Sequence, residues 1–279
     1  MNTAAGTVSA ADIIAAARRA GVVGAGGGGF PLHAKLASRA GAPPVDTVIA
    51  NGAECEPLLH KDAELMAGHA AQIVEGLRLA MTAVGAERGI IGLKSKHADA
   101  IAAFRPLVAG TSIVLFELGD FYPTGDEYIL VYETTGRLIP TAGLPLDVAC
   151  LVSNVESLRN LAVAVQGDPV TRKMVTVAGA VERPFTGWVP VGVDLKWLVE
   201  QAGGASQADV AYYVGGVMMG KLQRDDTLPV TKTTAGVIVL PGDHQLVRRA
   251  ETPEPVKHQI GKSACDQCTY CTELCPRYL

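Results

Sequence analysis

Four cysteines stand close together near the end of the chain. Cys265, Cys268, Cys271 and Cys275 spell C-x-x-C-x-x-C-x-x-x-C, with Pro276 directly after. Only six cysteines occur in 279 residues, and a disulfide framework would spread them along the sequence. Clustered thiolates are soft ligands suited to iron–sulfur clusters and to zinc. Structural zinc sites set their ligand pairs on either side of a longer loop, whereas two-residue gaps wrap one chain around the corners of a cubane. The run with its proline is the bacterial ferredoxin pattern, so the spacing favours a [4Fe–4S] cluster over zinc, and both over unligated thiols. In two-cluster ferredoxins the fourth cysteine of such a run serves the other cluster. One run is present up to Leu279. Cys265, Cys268 and Cys271 are therefore expected to hold three corners, and the sequence is expected to be part of a longer protein, with its cluster poorly held as it stands.

The second chemical feature is a glycine loop, Gly24-Ala25-Gly26-Gly27-Gly28-Gly29-Phe30-Pro31. It contains a formal G-x-G-x-x-G, but a dinucleotide fingerprint follows a strand, and a helix-like segment precedes this one. It is not expected to be a standard Rossmann turn. Its backbone N–H groups can still face a phosphate, with a helix restarting at Pro31 behind it. A flexible linker is the plain alternative.

These residues need a scaffold. Hydrophobic residues make up 48% of the chain and aromatics 5%, with 31 glycines, which suits a core of small aliphatic side chains joined by tight turns. Charge nearly balances, 24 Lys and Arg against 28 Asp and Glu, giving no basic field for nucleic acid. No apolar run approaches the ~18–20 residues of a membrane span, and no signal-peptide core is present, so a cytoplasmic protein is expected. Helices are expected over 9–20, 65–84 and 98–108, and one opening at 153–156 with capping-box spacing. Strands are expected over 45–50, 89–93, 111–118 and 128–132. This alternation argues for an open α/β sheet. After 168 the texture turns β-rich: strands over 174–181, 211–214 and 236–240, and a short helix capped by Asp194 and ended by Gly203-Gly204. Residues 241–262 read as a linker. Cys150 reads as core and Cys55 as an inert thiol. The six histidines form no local ligand pair, and Met218-Met219 read as core, with a ligand-facing pair as the alternative.

Several spaced motifs in one order resemble the respiratory complex I 51-kDa flavoprotein family, to which the Rnf complex C subunit belongs. They are the glycine loop with Phe30-Pro31 and Lys35; Asn51-Gly52-Ala53-Glu54-Cys55-Glu56-Pro57 with Lys61-Asp62; Tyr122-Pro123-Thr124-Gly125-Asp126-Glu127; Asn154-Val155-Glu156; residues 174–204, which resemble a β-grasp module; and the cysteine run. A narrower resemblance, through Tyr122–Glu127, Gly215–Gly220 and Cys271–Arg277, is to the branch of cobalamin reductases from propanediol-utilisation microcompartments. The resemblance implies an α/β fold with a Rossmann-like flavin/nucleotide domain (1–167), a β-grasp, soluble-ligand-binding domain (168–245), and a linker with the start of a ferredoxin-like iron–sulfur segment (246–279). It implies FMN held by Gly24, Gly26, Gly27, Gly28, Gly29, Phe30, Lys35, Asn51 and Asn154. Glu54, Glu56, Asp126 and Glu127 would face NAD(H), and Cys265, Cys268, Cys271 and Cys275 would hold [4Fe–4S]. Read from the residues alone, any of these four acids could instead be a solvated loop charge, and Phe30 a core residue.

Three functions are compatible with this reading. One is an NADH-dependent flavin/iron–sulfur oxidoreductase acting on cobalamin or a cobalamin-bearing partner, alongside other enzymes in a microcompartment lumen. Another is a peripheral NADH-oxidising subunit of a membrane complex. The third is a non-enzymatic ligand-binding module with a zinc tail.

Overall fold

The structure, a computed structural model, describes residues 8–37 and 41–275. Pro276 and Arg277, part of the cysteine-run reading, lie outside the described residues.

The chain opens with α1 (Ala10–Arg19), whose cap Ser9 accepts a hydrogen bond from the Asp12 amide. The glycine loop and the short α2 (Leu32–Leu36) follow. Then come β1 (Thr47–Gly52), α3 (Lys61–Val84), β2 (Arg88–Lys94), α4 (Ala98–Val108), β3 (Ile113–Leu118), α5 (Glu127–Thr135), β4 (Cys150–Asn154) and α6 (Val155–Val165). The four strands form one parallel sheet in the order β3-β2-β1-β4. Parallel sheets are covered on both faces. Here Leu65, Ile73 and Leu77 of α3 and Leu158 and Leu161 of α6 build one side of the core, and Leu130 and Val131 of α5 the other.

Two local expectations in this part of the chain differ from the structure. Residues 128–132 are helical. Their run of aromatic and β-branched residues suits a strand, but Asp126 caps the first turn by accepting from the Tyr128 amide, and Gly136 closes the last in the left-handed region. α5 packs on β2 and β4, so burial hides its helical period. The cap of α6 is Asn154, one residue later than the expected Ser153, because Ser153 belongs to β4. β4 itself was not expected from the sequence.

The second unit contains β5 (Arg172–Gly179), β6 (Phe185–Pro190), α7 (Leu195–Gln201), β7 (Val210–Val214), β8 (Lys221–Gln223) and β9 (Gly236–Pro241). Its sheet runs β6-β5-β9-β7-β8; β5 and β9 are parallel and the other pairs antiparallel. Asp194 caps α7 by accepting from the Trp197 amide. Residues 241–262 are not an unstructured linker: they carry α8 (Gln245–Glu251), capped by His244, and most of α9 (Glu254–Ala264). α8 packs on the second sheet through Val247 and the Tyr213 hydroxyl, which donates to the Leu246 carbonyl. A short α10 (Tyr270–Glu273) lies within the cysteine run.

Candidate functional site

In the first sheet the chain winds β1-β2-β3 in one direction, then places β4 on the other side of β1. Ligands of open α/β sheets bind beyond the carboxyl ends of the strands at such a reversal. Asn51 near the end of β1 and Asn154 at the end of β4 are register partners there. A cavity of about 1010 Å³ opens over them, walled by the glycine loop, Lys35, the 53–62 and 122–127 segments, and residues 214–235 of the second unit.

The glycine loop is held from below. The Ala25 amide donates to Ser157 Oγ, which donates to the Val23 carbonyl, and the Gly24 and Gly29 amides close the loop on Phe30 and Gly24. The amides of Gly26, Gly27 and Gly28 have no partner among the described residues. Gly27 and Gly29 have φ of 111° and 66°, which side chains rarely adopt. Phe30 is 56% exposed on the cavity wall, so it is not a core residue. Lys35 Nζ donates to the Val152 carbonyl at 2.9 Å. Burial pushes its pKa down, against the nearby Glu127 carboxylate. Lys35 and the unpaired amides of Gly26, Gly27 and Gly28 line the same cavity, and such donors are of the kind that hold anions.

Both asparagines already have structural work. Asn51 donates to the Gly125 carbonyl and accepts from the Ala53 amide. Asn154 accepts from the Glu156 amide and donates to Asp62. Cys55 joins the same fabric: its sulfur accepts from the Gly125 amide, and a Cβ on Gly125 would lie 2.3 Å from the Ala53 carbonyl oxygen. The 51–57 and 122–127 motifs are thus clamped together over β1.

The four acids divide. Glu54 and Glu127 line the cavity. Glu56 also reaches its wall, but both its oxygens accept amides of the second unit, from Met218 at 2.9 Å and Met219 at 2.6 Å. Asp126 caps α5. Met218 and Met219 are exposed, contrary to the core reading, and Met219 faces the cavity.

Beneath the cavity lies a buried charge cluster that sequence reasoning found only in part. Lys61 pairs with Asp62 at 2.5 Å and with Glu156 at 3.3 Å, and Lys173 of β5 pairs closely with Glu156. Glu156 also accepts from the Met174 amide, and Glu54 from the Asp62 amide. Burial works against the Lys61 charge, but Asp62, Glu156 and Glu54 together hold its pKa above the ordinary lysine value. Burial and the Asp62 charge push Glu54 up to about 7. The third carboxylate of a cluster with two cations is the one that keeps a proton most easily. Lys61, Asp62 and Glu156 belong to recognised motifs. Lys173 carries no motif, and only its position opposite Glu156 in space reveals it.

The cysteine run is different. Cys265, Cys268 and Cys271 are exposed and unbonded to one another. Among the described residues no group of three or more His, Cys, Asp or Glu side chains is placed to hold a metal ion. These thiols are not gathered around a common point here, so the spacing of the run is what points to a cluster.

A Rossmann-like parallel sheet with unpaired glycine-loop amides lining a cavity at its switch point, joined to a second mixed sheet, defines a nucleotide-binding α/β protein of the flavoprotein class. The chain belongs to the family of the Nuo51 FMN-binding domain, whose family model matches residues 17–163. It is similar to cobalamin reductase PduS of Citrobacter freundii, 46% identical over 94% of this chain and 57% of that protein. The Salmonella typhimurium cobalamin reductase PduS is 45% identical over 98% of this chain and 59% of its own length. A component of the Na(+)-translocating ferredoxin:NAD(+) oxidoreductase complex of Acetobacterium woodii is 36% identical, over 93% of this chain and 56% of its own length. Among solved structures, a chain of the NAD+-reducing [NiFe]-hydrogenase in the H2-reduced state matches with a TM-score of 0.70 and 25% identity, over 83% of this chain and 47% of that one. The chain spans less than three-fifths of the length of these curated relatives.

FMN fits the residues present: the three free amides and Lys35 suit its phosphate, and the cavity has room for its rings.

Proposed function

We propose that this chain is the flavin-binding, NADH-oxidising part of an oxidoreductase that passes electrons from NADH through FMN to a [4Fe–4S] cluster and on to cobalamin or a cobalamin-bearing partner. The observation that carries the reading is the trio of unpaired amides, Gly26 to Gly28, beside Lys35 at the switch point of the sheet. When bound, FMN supplies the chemistry of taking two electrons as hydride and returning them one at a time.

The chain's own residues bind and orient. Gly24, Gly26, Gly27, Gly28 and Gly29 form the phosphate cradle, and Lys35 neutralises phosphate charge. Asn51 and Asn154 line the cavity and keep one lone pair and one N–H each beyond their structural bonds, which would be available to FMN. Glu54 and Glu127 accept hydrogen bonds from ribose hydroxyls of the dinucleotide. Glu56 and Asp126 shape the wall by holding the 215–220 loop and α5. Phe30 offers a ring face to the ligand. The spacing of Cys265, Cys268, Cys271 and Cys275 supports the cluster, although these thiols are not gathered here.

The names of the similar cobalamin reductases support cobalamin as acceptor, and a cytoplasmic setting within a microcompartment lumen is what the resemblance of the sequence implies. The similar component of the ferredoxin:NAD(+) oxidoreductase complex supports a second reading, a peripheral subunit delivering electrons to membrane partners. No helix among the described residues is long and apolar enough to cross a membrane. The test is anaerobic reconstitution with FMN, then NADH-driven reduction of ferricyanide and of cob(III)alamin. Retained flavin absorbance with turnover of both is expected. Ferricyanide turnover without cobalamin turnover favours the second reading. A colourless, zinc-loaded protein that ignores NADH overturns both.

A further inference from the structure

Thr231-Lys232-Thr233-Thr234 form a turn of the second unit shortly before β9. The Thr234 amide donates to the Thr231 carbonyl at 3.1 Å, and the Thr231 amide to Thr234 Oγ1 at 3.0 Å, so the turn closes on itself. Its root is fixed in the second unit: the Val230 amide donates to the Val193 carbonyl, and the Gly192 amide to the Val230 carbonyl. Its tip touches the first unit. Lys232 Nζ donates to the Gly21 carbonyl at 2.7 Å. Gly21 follows the carboxyl end of α1, where a cation is favoured, and leads into the glycine loop. The Thr233 methyl lies against the far side of that loop: a Cβ on Gly29 would stand 3.0 Å from Thr233 Cγ2. Side chains of the second unit therefore reach both the entry and the exit of the glycine loop.

The hydroxyls supply an independent observation. Thr231 Oγ1 lies 2.9 Å from Thr233 Oγ1 and 3.2 Å from Thr234 Oγ1. Each hydroxyl carries one proton. Two contacts among three hydroxyls use two of those protons and leave the third over. The trio is already supplied as acceptor from behind: the Thr231 amide donates to Thr234 Oγ1, and the Thr233 amide to Thr231 Oγ1. All three residues line the large cavity. Thr234 is buried, whereas Thr233 is half-buried and stands next to Gly29. The arrangement that satisfies the most groups runs outward, from Thr234 to Thr231 to Thr233, and ends in a spare O–H beside the glycine loop.

We propose that Thr233 is a phosphate-binding residue supplied by the second unit, its hydroxyl donating to the same phosphate as the amides of Gly26 to Gly28 and Lys35. This inference rests on the FMN reading and extends the cofactor site beyond residues 17–163, the span that the FMN-binding family model matches. An anion at the end of the chain aligns its three hydroxyls in one direction, and each bond strengthens the next. The turn is fixed by its own hydrogen bonds and by Lys232 before a ligand arrives, so the contact costs little ordering. A donor to a charged oxygen is stronger than one between neutral groups. The second unit thereby helps to distinguish a phosphorylated flavin from a bare one.

The test compares FMN with riboflavin, which has the same ring system and no phosphate, by flavin fluorescence quenching on the flavin-free chain. Thr233→Val keeps a methyl against Gly29 and removes the donor. It is expected to weaken FMN about tenfold and to leave riboflavin affinity unchanged. Thr233→Ser keeps the donor and is expected to bind FMN as the wild type does. A residue that only shapes the cavity would move both flavins together, so equal weakening of FMN and riboflavin by Thr233→Val overturns the proposal. Unchanged FMN affinity in Thr233→Val overturns it as well, as does a loss in Thr233→Ser that matches the loss in Thr233→Val. The two readings fail differently. A wild type that binds FMN no better than riboflavin sinks the phosphate site of the glycine loop and this inference with it. A wild type that prefers FMN, with Thr233→Val preferring it equally, sinks this inference alone.

Discussion

Glu54 carries the clearest pH signature at the residue scale. Burial and the neighbouring Asp62 raise its carboxyl to about 7, from an ordinary 4.5. The folded protein therefore binds a proton at Glu54 between those values that the unfolded chain has released. The stabilising effect of that proton is fully present below about pH 4.5 and is lost as pH rises through about 7. Glu54→Gln is expected to remove this dependence and to stabilise the flavin-free protein at pH 8 by about 1–3 kcal/mol. Urea unfolding of both proteins at pH 5 and pH 8 checks it; equal pH slopes count against it. At Lys35 the opposite charge is at stake. Lys35→Met is expected to weaken FMN about tenfold or more while leaving the fold intact, read by flavin fluorescence quenching. An unchanged affinity would remove Lys35 from the phosphate site.

At the scale of elements, the two sheets are tied by a loop and a carboxylate. Glu56 holds the Met218 and Met219 amides. Gly216 lies against it with φ 108°, so close that a Cβ would meet Glu56 Oε2 at 2.3 Å. Glu56→Ala is expected to free both amides, to speed their hydrogen exchange selectively, and to cost about 1–3 kcal/mol. Exchange that rises uniformly over the molecule would instead mean global destabilisation. The elements themselves were readable where one physical signal dominated. β1, β2 and β3 are short apolar runs between turns, and α1 and α7 have side-chain caps in Ser9 and Asp194. α5 was misread because it is apolar on several sides and its β-branched residues fit either structure. β6 was missed because Pro184, Gly187 and Pro190 punctuate it like a turn, although Trp188 pairs in register with Met174. The site motifs were legible as residue types, but their division of labour was not. Nothing in the spacing of Glu54 and Glu56 says that one faces the cavity while the other clasps a loop 160 residues away.

Across the whole molecule, the sheets share a buried electrostatic joint. Glu156 of α6 is fully buried between Lys61 of α3 and Lys173 of β5. Lys173→Met leaves that carboxylate short of a partner and is expected to cost about 3–5 kcal/mol; Lys173→Met with Glu156→Gln is expected to recover much of the loss. Denaturant titration of the two single variants and the double variant measures the coupling, and additive effects would deny it. Such a joint could not be read from sequence, because its two ends are ordinary charged residues on α6 and β5 and only the fold brings them together.

The large cavity has one further consequence through its position. Its walls come from both sheets: Gly26 to Gly28 and Lys35 on one side, Thr231, Thr233 and Lys221 on the other. A ligand lodged there works as a removable rivet between the two halves. By mass action, a ligand present at about a hundred times its dissociation constant adds about 2.7 kcal/mol to the folded state. Occupancy is thus coupled to integrity: the filled protein is harder to unfold than the empty one.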